Sequence, residues 1–282
     1  MNKIFLTTVG VLLALPAAAV AFAQAKRPML PALLPSQTAW QPSPASRWQV
    51  QYEGTLALHI KADVYALDLF DTPSAIIATL RKRGKRIVCY LNAGAWEKWR
   101  PDAKSFPLAV LGNHMTGWPD ERWLDIRRMD LLQPIIAARL DLCRRRGFDG
   151  VIFDNVNSYT NPTGFPLTPA DQLRYSAWLG NAARATGLAA GMNNNSEQAR
   201  ELEPYFDWAQ AESCFDQGWC RNFKPFTDAK KAVLAIEYVP SRFDLNRLCK
   251  SAGALQITVM VKRRNLDAFR QDCSGLATPS SK

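Results

Sequence analysis

From Trp48 onward, short apolar runs of strand length alternate with longer stretches whose apolar residues recur at helical spacing. Trp48–Tyr52 alternates and predicts a strand, and Asp63–Phe70 predicts a second. Pro73–Arg83 then sets Ile76, Ile77 and Leu80 on one side of a helix that Gly84 ends. Arg86–Leu91 predicts a third strand, running into Asn92-Ala-Gly94. A long excursion follows with Trp96, Trp99, Trp118 and Trp123, and then a helix from about Met129 to Arg146. Residues 151–154 form a fourth strand, between the Gly147–Gly150 turn and a polar Asn/Ser/Tyr loop. The next helix opens on Thr168-Pro-Ala-Asp171, with Thr as N-cap, Pro at the first helical position and an early acid, and runs to Thr186. Leu188–Met192, Asp207–Glu212, Ala232–Ile236 and Leu255–Val259 predict four more strands. Helices at Ser196–Leu202, around Phe226–Lys230 and at Ser241–Ser251 lie between them. Eight strands, mostly alternating with helices, predict an α/β protein built as a single (β/α)8 TIM barrel. A doubly wound open sheet is the alternative, but no early strand is followed by a Gly-rich phosphate loop.

The N-terminus stands outside this pattern. Met1-Asn-Lys3, the apolar run Ile4–Val20 broken by Pro16, and Ala21-Phe-Ala23 predict a secretory signal peptide over 1–23, cleaved after Ala23 or Ala25. Residues 24–46 are rich in Pro and Ala and predict a linker, 47–275 the barrel domain, and 276–282 a tail. The expected location is secreted or periplasmic, as a monomer with no membrane span in the mature chain. Six cysteines suit an oxidising compartment. Cys214 with Cys220, and Cys249 with Cys273, are the expected disulfides, while Cys89 and Cys143 look more like buried free thiols, a reading that leaves their pairing open. With two histidines and no CxxC spacing, no metal site and no cofactor are expected. The net charge of +10 is spread over small groups such as Arg81-Lys-Arg83 and Arg144-Arg-Arg146, which close helices. No nucleic-acid partner is therefore expected.

In a β/α barrel the chemistry sits at the carboxyl ends of the strands. Here those ends are Gln51/Tyr52, Asp68/Asp71, Asn92, Asp154/Asn155, Asn193/Asn194, Glu212 and Glu237/Tyr238. An ionisable group after three apolar residues, as Asp154 is, must be paired or used; it is a catalytic candidate or a cap of the following loop. No Ser-His-Asp set is available. What remains is a pair of carboxylates among amides and aromatics, which suits glycoside hydrolysis: one acid protonates the leaving oxygen, and one carboxylate attacks or activates water. The candidate pair is Asp154 and Glu212, with Glu237 in reserve. The substrate-binding candidates are Tyr52, Asp68, Asn92, Trp96, Asp125, Asn155, Tyr159, Asn194, Glu237 and Tyr238. Asp125 reads either as a partner of Arg127 or Arg128 or as a cleft residue. Trp99, Trp118 and Trp219, in loops after strands, are further candidates for stacking on sugars.

Several stretches together resemble glycoside hydrolase family 114. They are Asp63-Val-Tyr-Ala-Leu-Asp-Leu-Phe-Asp-Thr72, Cys89-Tyr-Leu-Asn-Ala-Gly-Ala-Trp-Glu97, Trp123-Leu-Asp-Ile126, Gly147-Phe-Asp-Gly-Val151 with Asp154-Asn-Val156, Tyr159-Thr-Asn161, Gly164-Phe-Pro-Leu-Thr168 and Ala211-Glu-Ser-Cys-Phe215. The resemblance implies a (β/α)8 barrel, endo-α-1,4-polygalactosaminidase activity on a polysaccharide, and a catalytic pair that falls on Asp154 and Glu212. The chain departs from the family pattern at Ile152, Asn157 and Asn193-Asn194-Asn195, where members often carry acids and a Lys. Fewer acids suit a polycationic substrate less well, so a neutral or N-acetylated galactose-type polymer is the alternative substrate. A catalytically silent carbohydrate-binding barrel is the alternative function.

Overall fold

The computed structural model describes residues 30–37, 40–240 and 244–273. The expected signal peptide, the first residues of the linker, the first residues of the Ser241–Ser251 helix and the tail at 276–282 lie outside the described residues.

The chain runs β1 (Trp48–Val50), β2 (Val64–Asp68), α1 (Ser74–Lys82) and β3 (Arg86–Asn92), then β4 (Ala95–Glu97), β5 (Leu111–Met115) and β6 (Trp118–Leu124). It continues through α2 (Met129–Arg146), β7 (Gly150–Asp154), α3 (Pro169–Ala185), β8 (Ala189–Asn193), α4 (Ala199–Leu202) and β9 (Trp208–Glu212). After α5 (Cys214–Gln217) and α6 (Lys224–Asp228) come β10 (Ala232–Tyr238), α7 (Leu245–Ala254), β11 (Thr258–Lys262) and β12 (Gln271–Asp272). Neighbours pair in parallel along β1-β2-β3-β7-β8-β9-β10-β11, with β12 added antiparallel at the end.

This sheet curls into a TIM barrel, and the parity of its strands shows how. Trp48, Val50, Val64, Ala66, Val88, Ile152, Ala189, Trp208, Leu234, Ile236 and Met260 share one buried cluster, so all eight parallel strands contribute to a single interior. The other parity packs outward on the helices: Leu67, Cys89, Val151, Phe153, Ala190, Ala209 and Val233 belong to the larger cluster that includes Ile77, Leu132 and Leu179. Gly191 is small because Trp208 crosses the interior there; a Cβ on it would meet the indole at 2.2 Å. At the seam, Tyr52 N donates to Leu266 O at 3.0 Å.

Three expectations need correction. The last strand begins later than Leu255 because helix α7 runs to Ala254, and Ile257 N still bonds back to Ala252 O. The described part of the linker is docked on the barrel: Asn181 accepts from Leu34 N and donates to Ala32 O, and Trp40 lies 6.3 Å from Trp208. Third, Cys89 and Cys143 are not free thiols; they form a disulfide, as do Cys214 with Cys220 and Cys249 with Cys273. Cys89 has the outward parity of β3 and meets Cys143 on the buried side of α2, a pairing across 54 residues that no local spacing announces.

The excursion after β3 is a separate three-stranded antiparallel sheet in the order β4-β6-β5. It brings Glu97, Arg100 and Glu121 to the barrel mouth. No helix among the described residues is long and apolar enough to cross a membrane.

Candidate active site

The inward parity that fills the barrel also selects what stands at its mouth. Continued to the strand ends it gives Tyr52, Asp68, Tyr90, Asn92, Asp154, Asn193, Glu212 and Tyr238. Asp154 ends β7 and Glu212 ends β9, with Asn193 ending β8 between them. The Asn193 Nδ2 donates to Asp154 Oδ1 at 2.7 Å and to Glu212 Oε1 at 2.8 Å. One nitrogen so close to both oxygens limits their separation to the sum of those bonds, 5.5 Å.

The remaining oxygens are held by phenols. Tyr90 donates to Asp154 Oδ2 at 2.8 Å, and Tyr238 donates to Glu212 Oε2 at 2.6 Å. The Tyr52 ring lies 4.4 Å from that of Tyr90. Among the described residues, no Lys or Arg side chain hydrogen-bonds either carboxylate. Burial, and then the charge of Asp154, raise the Glu212 pKa, while the bonds from Tyr238 and Asn193 pull it back. Burial beside these acids also raises Tyr52, Tyr90 and Tyr238 well above the ordinary phenol value, so all three stay protonated, and Tyr90 and Tyr238 donate.

The backbone turns sharply after each of these three strands. Asn155, Asn194 and Ser213 directly follow Asp154, Asn193 and Glu212, and all three have left-handed φ, at 57°, 56° and 59°. Asn tolerates that region and Ser does so less readily; strain of this kind costs on the order of 1–3 kcal/mol per residue and gathers at functional sites. The turns have a use here. Asn155 N donates to Asp154 Oδ1 at 2.8 Å, and the Asn194 side chain accepts from Glu212 N at 2.9 Å. Gly94 permits the end of β3 to pack under Asn155, whose carbonyl oxygen would lie 1.8 Å from any Cβ there. Asn92 is buried and holds this packing, accepting from Ala95 N and from Asn155 Nδ2.

A cleft of about 490 Å³ opens beside Glu212. Tyr159, Asn194, Trp219 and Arg264 line it, and Tyr159 donates to Glu197 at 2.6 Å. A second cleft of about 420 Å³ lies across the mouth, against Tyr52 and Asp68.

The structure removes several candidates from the reacting centre. Glu237 has the outward parity of β10, and its oxygens accept from Phe215 N and Asp216 N at the start of α5; it is a helix anchor, not a reserve acid. Asp68 faces the mouth, but both its oxygens are bound by Arg100 at 2.9 and 2.7 Å. Asp125 takes the ion-pair option, with both oxygens on Arg127. Trp96 is half-buried and its indole donates to Ala103 O, so its polar edge is spent inside the excursion. Tyr90, Arg264 and Glu121 were not among the candidates. Tyr90 was hidden by its place in an apolar run, although its parity with Val88 and Asn92 marks it. Glu121 accepts from Asn92 Nδ2 at 3.2 Å, and burial, then Glu97 and Asp154, push its pKa up to about 8.

Two carboxyl groups this close, in a cleft, are suited to cleaving a glycosidic bond. The fold, this pair and a match to the model of glycoside-hydrolase family GH114 over residues 32–278 agree: the chain belongs to that family and is a glycoside hydrolase. Among solved structures it is similar to Aspergillus fumigatus Ega3 in complex with galactosamine, with 31% identity, a TM-score of 0.78, and coverage of 84% of this chain and 98% of that one. It shares a fold with the glycoside hydrolase domain of PelA from Pseudomonas aeruginosa, at 16% identity and a TM-score of 0.63, covering 80% and 98% of the two chains. An uncharacterized protein of Deinococcus radiodurans is 24% identical over 258 residues, 80% of this chain and 82% of its own.

Proposed function

We propose that this protein is a secreted or periplasmic hydrolase of α-1,4-linked galactosamine-type polysaccharide, endo-acting, and retaining at the anomeric carbon. Asp154 is the nucleophile and Glu212 the general acid/base. The observation that carries the reading is the Asn193 bridge. It caps the distance between the two bridged carboxyl oxygens at 5.5 Å, which favours the roughly 5–5.5 Å spacing of a retaining pair over the roughly 6.5–9.5 Å that admits a water for inversion. The galactosamine bound to the similar fungal protein supports the sugar class. Three disulfides among the described residues support an oxidising location.

In the first step Glu212 gives its proton to the glycosidic oxygen, and Asp154 attacks the anomeric carbon. The carbon–oxygen bond breaks, the shortened chain leaves as an alcohol, and a glycosyl ester forms on Asp154. Glu212, now a carboxylate, then takes a proton from water. That water attacks the same carbon, and Asp154 departs as a carboxylate. The raised proton affinity of Glu212 fits its acid role, and burial is the main cause.

Digestion of galactosamine polymers followed by proton NMR tests this. The first product formed should be the α-anomer, in oligosaccharides of mixed length. An initial β-anomer would refute retention, and release of single sugars alone would refute endo action.

A further inference from the structure

The second cleft at the mouth, of about 420 Å³, has no part in the steps above. Its place follows from strand order. In the ring β1-β2-β3-β7-β8-β9-β10-β11, β1 and β2 stand four strands away from β8 and β9, on the opposite side of the barrel. The first cleft lies over the ends of β8 and β9, where Asn194 and Glu212 line it. The second lies over the ends of β1 and β2, where Tyr52 and Asp68 line it. A polymer that occupies both must cross the Asp154–Glu212 pair between them. Tyr52 is the joint. It forms part of the second cleft's wall, and its ring lies 4.4 Å from that of Tyr90, which holds Asp154. Its hydroxyl is buried, with no hydrogen-bond partner among the described residues, and offers an occupant a donor on the way to the reacting centre.

The lining of this cleft suits a sugar that carries a cation. Leu56 and Ile76 supply partly buried apolar wall, and its charged residues are Asp68 and Asp71, with no base among them. Arg100 fills both oxygens of Asp68. Asp71 differs: its side chain is 68% exposed, one oxygen accepts from Arg100 at 3.2 Å, and the other has no partner among the described residues. Arg100 is already faced by Asp68 and Glu97, so the negative charge that Asp71 adds is left over. Trp99, 52% exposed on the turn after β4, flanks the same guanidinium, which lies 5.6 Å from its ring. An open indole and an available carboxylate oxygen therefore share the outer edge of the cleft. The ammonium of a 2-amino sugar can donate to the carboxylate, while the ring face of the sugar covers the indole. Resting on the hydrolase reading above, we propose that this cleft, with Asp71 and Trp99 at its edge, is a separate sugar-binding site that holds a free-amine unit of the same chain away from the scissile bond and sets the chain length the enzyme prefers.

The test measures kcat/KM on free-amine galactosamine oligosaccharides of increasing length, at a pH where the amines are protonated. For the wild type it should climb with length until the chain fills both clefts. Asp71→Asn should flatten the top of that climb, with a loss of about tenfold on the longest chains that falls on KM more than on kcat. Asp71→Glu, which keeps the charge, should retain most of the climb. Trp99→Ala should also lose activity chiefly on long chains. Added salt should shrink the gap between the wild type and Asp71→Asn, and leave the Trp99→Ala gap in place. Wild-type rates that do not rise with length, or an Asp71→Asn loss that is absent or equal at every length, overturn the proposal. If the wild type cleaves none of these chains, it is the hydrolase reading that fails. Calorimetric binding of a long free-amine chain to Glu212→Gln, with and without Asp71→Asn, then decides the site alone: weaker binding with Asp71→Asn supports it, and equal binding overturns it.

Discussion

Two groups of carboxylates share the mouth of this barrel, one buried and one partly buried, and they are held in opposite ways. Asp68 and Glu97 close on one guanidinium: Arg100 donates to Asp68 at 2.7 and 2.9 Å and to Glu97 at 2.8 Å twice. Among the described residues, Asp154 and Glu212 have no such partner. Asn193, Tyr90 and Tyr238 hold them, and all three are neutral. A carboxylate locked to arginine has its charge cancelled and its lone pairs filled, so it serves as a strut. A pair held only by neutral donors keeps its geometry but not its compensation, which leaves protons and lone pairs available for reaction. The counter-ion, more than burial or strand-end position, separates the acid that supports from the acid that reacts.

Exchanging carboxylates for amides should break the comparison most visibly. Asp154→Asn or Glu212→Gln is expected to lower kcat by ~10³-fold or more on the polymer cleaved, with thermal stability unchanged or slightly increased because a partly buried charge without a cation partner is gone. Loss of the fold without Arg100-type contacts at this pair would show that it, too, is structural. The converse substitution, Arg100→Met, leaves Asp68 and Glu97 buried without a cation and should cost about 3–5 kcal/mol of stability by denaturant unfolding. A cost near zero would mean that the strut is dispensable.

Tyr238→Phe sharpens the comparison at smaller scale. The phenol stabilises charged Glu212, so its removal raises the Glu212 pKa still further. As an acid, Glu212 works while protonated; the basic limb of the kcat/KM profile should therefore move to higher pH, with kcat reduced about tenfold, the worth of roughly one hydrogen bond to a charged group. A limb that moves to lower pH would contradict the assignment. Smallest of all should be Asp71→Asn. Its contact with Arg100 is 3.2 Å and its side chain is 68% exposed, so less than about 1 kcal/mol is expected in the same unfolding measurement.

Much of this site was legible in the chain itself. The apolar runs located all eight parallel strands, and the strand ends exposed Asp154 and Glu212. Parity would have told more. It separates Glu237, facing out of the barrel, from Tyr238, facing in, and it marks Asn193 ahead of Asn194. The excursion was opaque for a different reason. Glu97 and Glu121 lie in an antiparallel sheet, and Arg100 in the turn after β4; the sheet's position over β3 depends on contacts across the fold, such as Asn92 with Glu121, and not on any local period. Arg100 therefore could not be seen to claim Asp68. For the same reason the Cys89 and Cys143 thiols looked unpaired: each is a buried residue of a regular element, and their proximity exists only once α2 has packed on β3.

That last bond has a topological consequence. Cys89 precedes the three-stranded excursion and Cys143 follows it, so the disulfide makes residues 89–143 a closed covalent ring that contains the whole excursion. The excursion thus belongs to the barrel twice, once through its main chain and once through sulfur. A single break in its outer turns would leave both severed ends tethered to the same two neighbouring elements. Natural variation in those turns, in length as well as in sequence, can accumulate there without loosening the strand and helix that flank Asp154.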